Sequence, residues 1–228
     1  EWRYENEWPL ARTEWAKFYL HSNGDAAGAG GSLSKDVAAS DEVADNFTYD
    51  PENPVPSWGA QYQNLDLCGP RDRSDIELRP DVLTFTSDAL EEPIEVTGPI
   101  SATIWASSDA LDTDFIAALI DVEPDGKAII LCEGIVRARF RNGTDNPEMM
   151  TAGEIYEFDI DMWDTSNLFK AGHRIRIEIS SSNFPRYNRN LNSGNPIATD
   201  TEITVANQTI HHDSLHSSHL NLPIIPHS

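Results

Sequence analysis

Serine, histidine and aspartate, the residue types of a nucleophilic triad, are all plentiful in this chain. A triad needs a nucleophile beside a base that a carboxylate orients, and one local frame for the serine is a Gly-x-Ser-x-Gly elbow. The run Gly30-Gly31-Ser32-Leu33-Ser34 ends in serine where the elbow needs glycine, and no helix pattern follows it. No in-chain triad is expected. His211, His212, His216 and His219, with Asp213 among them, carry ligand types for zinc or another transition metal, but their spacing matches no zinc motif. They are expected to face different ways from a strand end and a turn. Asp109, Asp112 and Asp114 offer oxygens to calcium, without the glycine and terminal glutamate of an EF-hand loop. Arg137, Arg139 and Arg141 are expected to neutralise them instead. The glycine-rich stretch Asn23–Ser34 lacks the Lys-Ser/Thr ending of a phosphate cradle and reads as a flexible loop. Neither a metal nor a cofactor is expected.

The stretch around which the other elements are organised is Lys170–Asn195. Its first half alternates Ile175, Ile177 and Ile179 with Arg174, Arg176 and Glu178, a strand with one apolar and one charged face. Its second half, Phe184-Pro185-Arg186-Tyr187-Asn188-Arg189-Asn190, puts two aromatics and two arginines in a polar loop. Such a loop on a rigid strand is either a docking surface or a segment folded on its own hydrogen bonds. In the docking reading, Arg186 and Arg189 make bidentate bonds to carboxylates of a partner.

The strands that must position these residues are read from alternation and turn residues. They lie at Thr13–Ser22, Phe47–Tyr49, Asp81–Ser87, Ile94–Ser107 (broken by Gly98-Pro99), Thr113–Arg141, Glu154–Trp163, Val205–Asp213 and Ser218–Ile225. Pro124-Asp125-Gly126 turns a hairpin in which paired residue numbers sum to about 250. Ile116, Ala118, Ile120, Val122, Ile130, Cys132 and Val136 then form its core face, and the Asp109–Asp114 run meets the arginines. Eight to ten strands, with at most a helical turn near Glu91 or Met149, make an all-β sandwich, read as a jelly roll. A length of 228 residues suits one such domain, 1–228, with residues 1–12 as a connecting segment.

The net charge of −22, from 38 acidic and 16 basic residues, argues against nucleic acid and anionic membranes as partners. No apolar run reaches the ~18 residues that span a bilayer. Cys68 and Cys132 have no metal-ligand spacing and read as two buried thiols, one bridge staying open. The chain has no initial Met and opens on Glu1-Trp2-Arg3-Tyr4, with Trp8 following, so it is expected to be a piece of a longer protein.

Several runs together resemble the C-terminal domain of the X-Pro dipeptidyl-peptidase and cocaine-esterase-like (CocE/NonD) serine hydrolases. They are IEVTGPISATIWASSDALDTDFIAALIDVEPDGKAIILCEGIVRAR and GEIYEFDIDMWDTSNLFKAGHRIRIEISSSNFPRYNRN, with Trp8-Pro9-Leu10, Gly69-Pro70-Arg71-Asp72, Arg79-Pro80-Asp81-Val82-Leu83 and His212-Asp213 in the same order. The resemblance implies a jelly-roll sandwich of galactose-binding-like topology that follows an α/β-hydrolase domain and a helical cap. The Ser-Asp-His triad is implied to sit in that other domain, so no catalytic residue is carried onto this chain. It also implies that the sandwich braces the catalytic domain and borders its active site, where small esters, amides or X-Pro peptides are hydrolysed. The Ser57–Pro70 segment corresponds to the part that reaches toward the acyl pocket, which makes Tyr62, Gln63 and Leu65 its border residues. Trp2, Trp8, Phe184, Arg186, Tyr187 and Arg189 are the expected contacts to the missing domains. Homo-oligomerisation stays open. The competing reading is an independent carbohydrate- or ligand-binding jelly roll, which would present exposed tryptophans on one concave face.

Overall fold

In the computed structural model, which describes residues 3–28, 30–61 and 66–226, eleven strands carry the regular structure. They are β1 (Glu14–His21), β2 (Gly31–Ser34), β3 (Asp45–Tyr49), β4 (Leu83–Thr86), β5 (Ile94–Ser108), β6 (Asp114–Val122), β7 (Ala128–Arg137), β8 (Tyr156–Phe169), β9 (Arg174–Ser180), β10 (Ala206–His211) and β11 (His219–Ile225). A 3-10 turn at Ala138–Phe140 follows β7, so the helical turn falls there and not near Glu91 or Met149. The hydrogen-bonded order is β3-β10-β5-β11-β1-β2-β4-β9-β6-β7, with β8 paired to β5. The pairings are antiparallel except β2 with β4.

This ribbon folds over one core and makes an all-β sandwich. Phe18, Leu20, Ile100, Ile104, Phe158 and Leu220 come from the β1-β11-β5-β8 side, and Leu83, Phe85, Phe115, Ile175, Ile177 and Ile179 from the β4-β9-β6 side. The three isoleucines of β9 are fully buried, as the alternation requires. At about 1.5–3 kcal/mol per fully buried side chain they tie the strand to the core. Gly134 lets the sandwich close: a Cβ there would stand 2.0 Å from the Asp161 carbonyl oxygen, so β7 lies against the β8 backbone.

Four sequence expectations are corrected. The glycine-rich stretch is not loop throughout, because Gly31–Ser34 is the strand that joins β1 to β4. A side chain at Gly31 would meet the Thr84 carbonyl at 2.4 Å, so glycine marks a close strand approach there. The β6-β7 hairpin is buried on both faces. Phe115, Ala117 and Leu119 enter the main core, while Ala118, Ile120, Val122 and Ile130 form a second cluster with Ala60. Pair sums change from 251 at Leu119–Cys132 to 250 at Ile120–Ile130, and this bulge puts Cys132 and Ile130 on opposite faces. Finally, β8 runs on past Trp163 to Phe169.

Candidate functional site

The second cluster exists because irregular chain covers the outer face of β9-β6-β7. Val55 N–H donates to Ser182 Oγ (2.8 Å), and Phe184 N–H donates back to the Val55 carbonyl (2.9 Å). Ser57 N–H donates to the Phe184 carbonyl (2.7 Å), and Arg186 N–H to Ser57 Oγ (2.9 Å). The Ser57–Pro70 segment and the Asn183–Asn192 loop are thus laced together. Beyond Pro70 the segment follows β7, with Ile130 N–H on the Arg71 carbonyl (3.0 Å) and Arg73 N–H on the Ala128 carbonyl (2.8 Å).

Tyr62, Gln63 and Leu65 lie outside the described residues. The base of their loop is pinned by the reciprocal Ala60–Gly69 backbone pair (2.8 and 2.9 Å). Gly59, at φ +87°, brings it down onto Ile130, where a Cβ would sit 2.3 Å from the isoleucine methyl. Trp58 stands half-exposed beside it, with the Arg71 guanidinium 5.6 Å from its ring. Trp58, Pro56, Asp72, Ser74, Asp75 and Ile76 line a cavity of about 420 Å³.

Buried ions hold this cover down. Arg73 grips Glu178 through Nε (2.9 Å) and Nη2 (2.7 Å). Glu133 accepts from Asn183 Nδ2 (2.6 Å) and Arg186 Nη1 (2.7 Å). Burial pushes the Glu133 carboxyl above its ordinary range, against the pull of Arg186 and Arg73. Glu77 pairs with Arg176 through one oxygen, while its other is buried with no donor among the described residues. Burial first, and the charge of Glu178 second, push Glu77 up to about 7. Sequence reasoning missed this network, because Glu178 and Arg176 read as a solvated strand face; Arg73 and Glu77 lie about a hundred residues from their partners.

Of the loop residues singled out from sequence, Phe184 is 41 % exposed, with Arg189 5.4 Å from its ring centre. Arg186 lies 5.0 Å over Tyr187. Within this chain, Arg186 Nη1 donates to Glu133 Oε1 (2.7 Å) and Arg189 Nη1 to the Pro51 carbonyl (2.6 Å). The loop's far end is fixed by Asn190 Nδ2, which donates to Asp112 Oδ2 and Asp114 Oδ1 at 2.9 Å each. Those aspartates pair with Arg139 (2.8 Å) and Arg137 (2.7 Å), as the hairpin predicts, while Asp109 binds Asn207 and Arg141 turns to Glu148.

Trp2 lies outside the described residues. Trp8 is 53 % exposed and donates through Nε1 to Asp164 Oδ1 (3.2 Å), while Arg3 pairs with Glu95. The N-terminal stretch therefore rests on β5 and β8, and the lacing of loop and segment does not include it.

The histidines have separate partners. His212 is buried between Glu42 (3.2 Å) and Asp45 (3.0 Å), His211 meets Ser107 (3.0 Å), His216 meets Asp213 (3.1 Å), and His219 meets the Ser217 carbonyl (2.8 Å). Burial lowers the His211 and His219 pKa values. A serine, histidine and carboxylate do align at Ser34 Oγ–His21 Nε2 (3.0 Å) and His21 Nδ1–Glu42 Oε1 (2.9 Å), which the sequence reading did not anticipate. The Asp36 carbonyl is also 3.0 Å from His21 Nε2, and Ser34 Oγ accepts from Asp36 N–H (3.2 Å). This knot ties the β2–β3 crossing to His212 through Glu42. It has the distances of a triad without the exposed, sharply turned nucleophile that acyl transfer uses. Cys132 is buried in the main core, and burial pushes its thiol up to about 12.

Comparisons place this architecture among known proteins. Residues 1–221 match the family model for the X-Pro dipeptidyl-peptidase C-terminal non-catalytic domain. The chain is 49 % identical over 231 residues to a cocaine esterase of Rhodococcus sp. (strain MB1 Bresler), covering 99 % of this chain and 40 % of that protein. An aminopeptidase from a marine sediment archaeon, Thaumarchaeota archaeon, superposes with TM-score 0.88 at 25 % identity, over 99 % of this chain and 39 % of the other. An α-amino acid ester hydrolase shares the fold with TM-score 0.79 at 24 % identity, over 98 % and 38 %. The chain thus spans about 40 % of the length of these relatives.

Proposed function

Because the chain belongs to the family of X-Pro dipeptidyl-peptidase C-terminal non-catalytic domains, we propose that it is the bracing β-sandwich of a serine acyl hydrolase. The catalytic triad then lies in the rest of that polypeptide, which hydrolyses small esters, amides or X-Pro peptides. The observation that carries this reading is the laced cover on β9-β6-β7. Two irregular segments, with half-exposed Trp58 and Phe184, are anchored by buried ion pairs to a rigid sheet. Backbone fixed this firmly, with aromatics left facing out, suits a surface that must hold its shape against a neighbour. We assign Tyr62, Gln63 and Leu65, which follow Ala60 of that cover in sequence, to the border of the acyl pocket. Phe184, Tyr187 and the N-terminal stretch with Trp2 and Trp8 are assigned to the contact with the catalytic part; Arg186 and Arg189 serve it by stiffening the loop.

The test is labelling of the full-length hydrolase with a fluorophosphonate, which reports activated serines. All label is expected outside residues 1–228, and the isolated chain is expected to show neither label nor ester or X-Pro turnover. Stoichiometric labelling at a serine of this chain, with hydrolysis lost on its substitution, would refute the reading.

A further inference from the structure

Trp163 combines a costly backbone conformation with an exposed position. It sits at a bulge in β8, where Pro99 and Ser101 of β5 pair with Asp164 and Asp161 and leave one extra residue on β8. Its φ is +68°, a left-handed conformation that is a true outlier for a bulky side chain. The residue is nevertheless 61 % exposed, so burial offsets little of the backbone cost. Asp161 fixes the bulge by accepting from the Trp163 N–H (2.9 Å). The next residue, Asp164, holds the indole of exposed Trp8, and Leu168 is exposed farther along the strand. Trp15, also exposed, belongs to the same β1-β11-β5-β8 side through its pairing with Pro223. A strained tryptophan displayed among other exposed apolar groups marks a contact surface, since tryptophan is the residue type most enriched at binding hot spots.

We propose that Trp163, with Trp8 and Leu168, is an anchor for the remainder of the same polypeptide, a second contact beside the laced cover. This rests on the reading of the chain as the C-terminal part of a longer hydrolase. Two observations favour that occupant over others. The relatives carry about 60 % of their length outside the matched region, and the family is a C-terminal domain, so the remainder precedes this chain. The residues that lead in from it, Arg3 to Trp8, lie on this β5-β8 surface, bonded to Glu95 and Asp164. The two contacts flank one strand. Glu133 of β7 holds Arg186 and Asn183 of the cover, and its neighbour Gly134 abuts Asp161 at the bulge. β7 thus touches the cover through one residue and the bulged strand through the next.

The experiment is hydroxyl-radical footprinting of the full-length protein, read residue by residue by mass spectrometry. It is run on wild type and on Trp163→Gly at several protein concentrations, and repeated with a soluble polysaccharide present. Glycine takes a positive φ without strain, so this variant keeps the bulge and the sandwich. Trp163 and Trp8 are expected to be protected about tenfold relative to exposed tryptophan in the monomer. Trp163→Gly is expected to expose Trp8 and to speed proteolysis between this domain and the remainder by about tenfold or more. Three results would overturn the inference: Trp163 reacting freely in the monomer, protection that appears only as concentration rises, or protection conferred only by the polysaccharide. Free Trp163 with protected Phe184 would sink the anchor and leave the bracing reading intact. Reactivity of both residues would sink the two together.

Discussion

At the scale of single residues, buried charge decides what holds the cover in place. Arg139 is the partner of fully buried Asp112, which also accepts from Asn190. Removing the cation strands a carboxylate in the interior, so Arg139→Ala is expected to lose about 3–5 kcal/mol in urea unfolding. Glu77 supplies a pH dependence. Its folded pKa is raised to about 7 from an ordinary 4.5, so between those values the folded state binds more protons than the unfolded chain. Stability from this group is therefore present in acid and falls as pH rises through the window. Glu77→Gln keeps a neutral side chain throughout. Relative to the variant, wild type is expected to lose about 1–3 kcal/mol between pH 5 and pH 8, measured by unfolding at each pH. A constant difference between the two proteins would show that the proton is not held there. The Ser34–His21–Glu42 knot gives a contrasting case: Ser34→Ala is expected to leave the full-length hydrolase's kcat and KM unchanged.

At the scale of elements, glycine records where strands touch. Gly134→Ala pushes a methyl into the Asp161 carbonyl, and the expected cost is about 1–3 kcal/mol by thermal unfolding. Such positions also explain what was legible beforehand. β9 and the β6-β7 hairpin follow from period-2 alternation and one Pro-Asp-Gly turn, because local pattern sets face and register. The second buried face of that hairpin does not follow, since nothing local shows that Ala60 and Gly59 will be laid on Ile120 and Ile130. β2 was hidden because glycine and serine carry no apolar alternation; its pairing with β4 depends on the missing Cβ of Gly31. The internal bond of Arg186 was not legible in the sequence. Its partner Glu133 lies 53 positions away in the largely apolar strand AIILCEGIVR, where no local pattern points to a distant arginine.

At the scale of the whole molecule, the question is how a sandwich with one main core, of a family of non-catalytic domains, would serve the hydrolase proposed above. Rigidity is the physical answer that the proposed role requires: β-strands fix the cover, and the cover fixes the backbone of Trp58–Ala60 and Gly69. Phe184 separates this role from ordinary packing. The residue is 41 % exposed and its ring faces Arg189 on one side, while its backbone carries the bonds to Val55 and Ser57. Phe184→Ala keeps the backbone lacing and removes mainly surface area, so the isolated sandwich is expected to lose less than about 1 kcal/mol. Tyr187→Ala is expected to cost somewhat more, because that ring is half-buried under Arg186. In the full-length protein the order of effects changes if the cover is an interface. A docked aromatic contributes about 2 kcal/mol or more, so either substitution is expected to loosen the domains and lower kcat/KM beyond what the sandwich alone loses. Parallel thermal unfolding of both proteins, beside hydrolysis by the full-length one, makes the comparison. Equal losses in the two would mean that Phe184 and Tyr187 pack only within their own domain, and the bracing surface would have to be sought elsewhere on the sandwich.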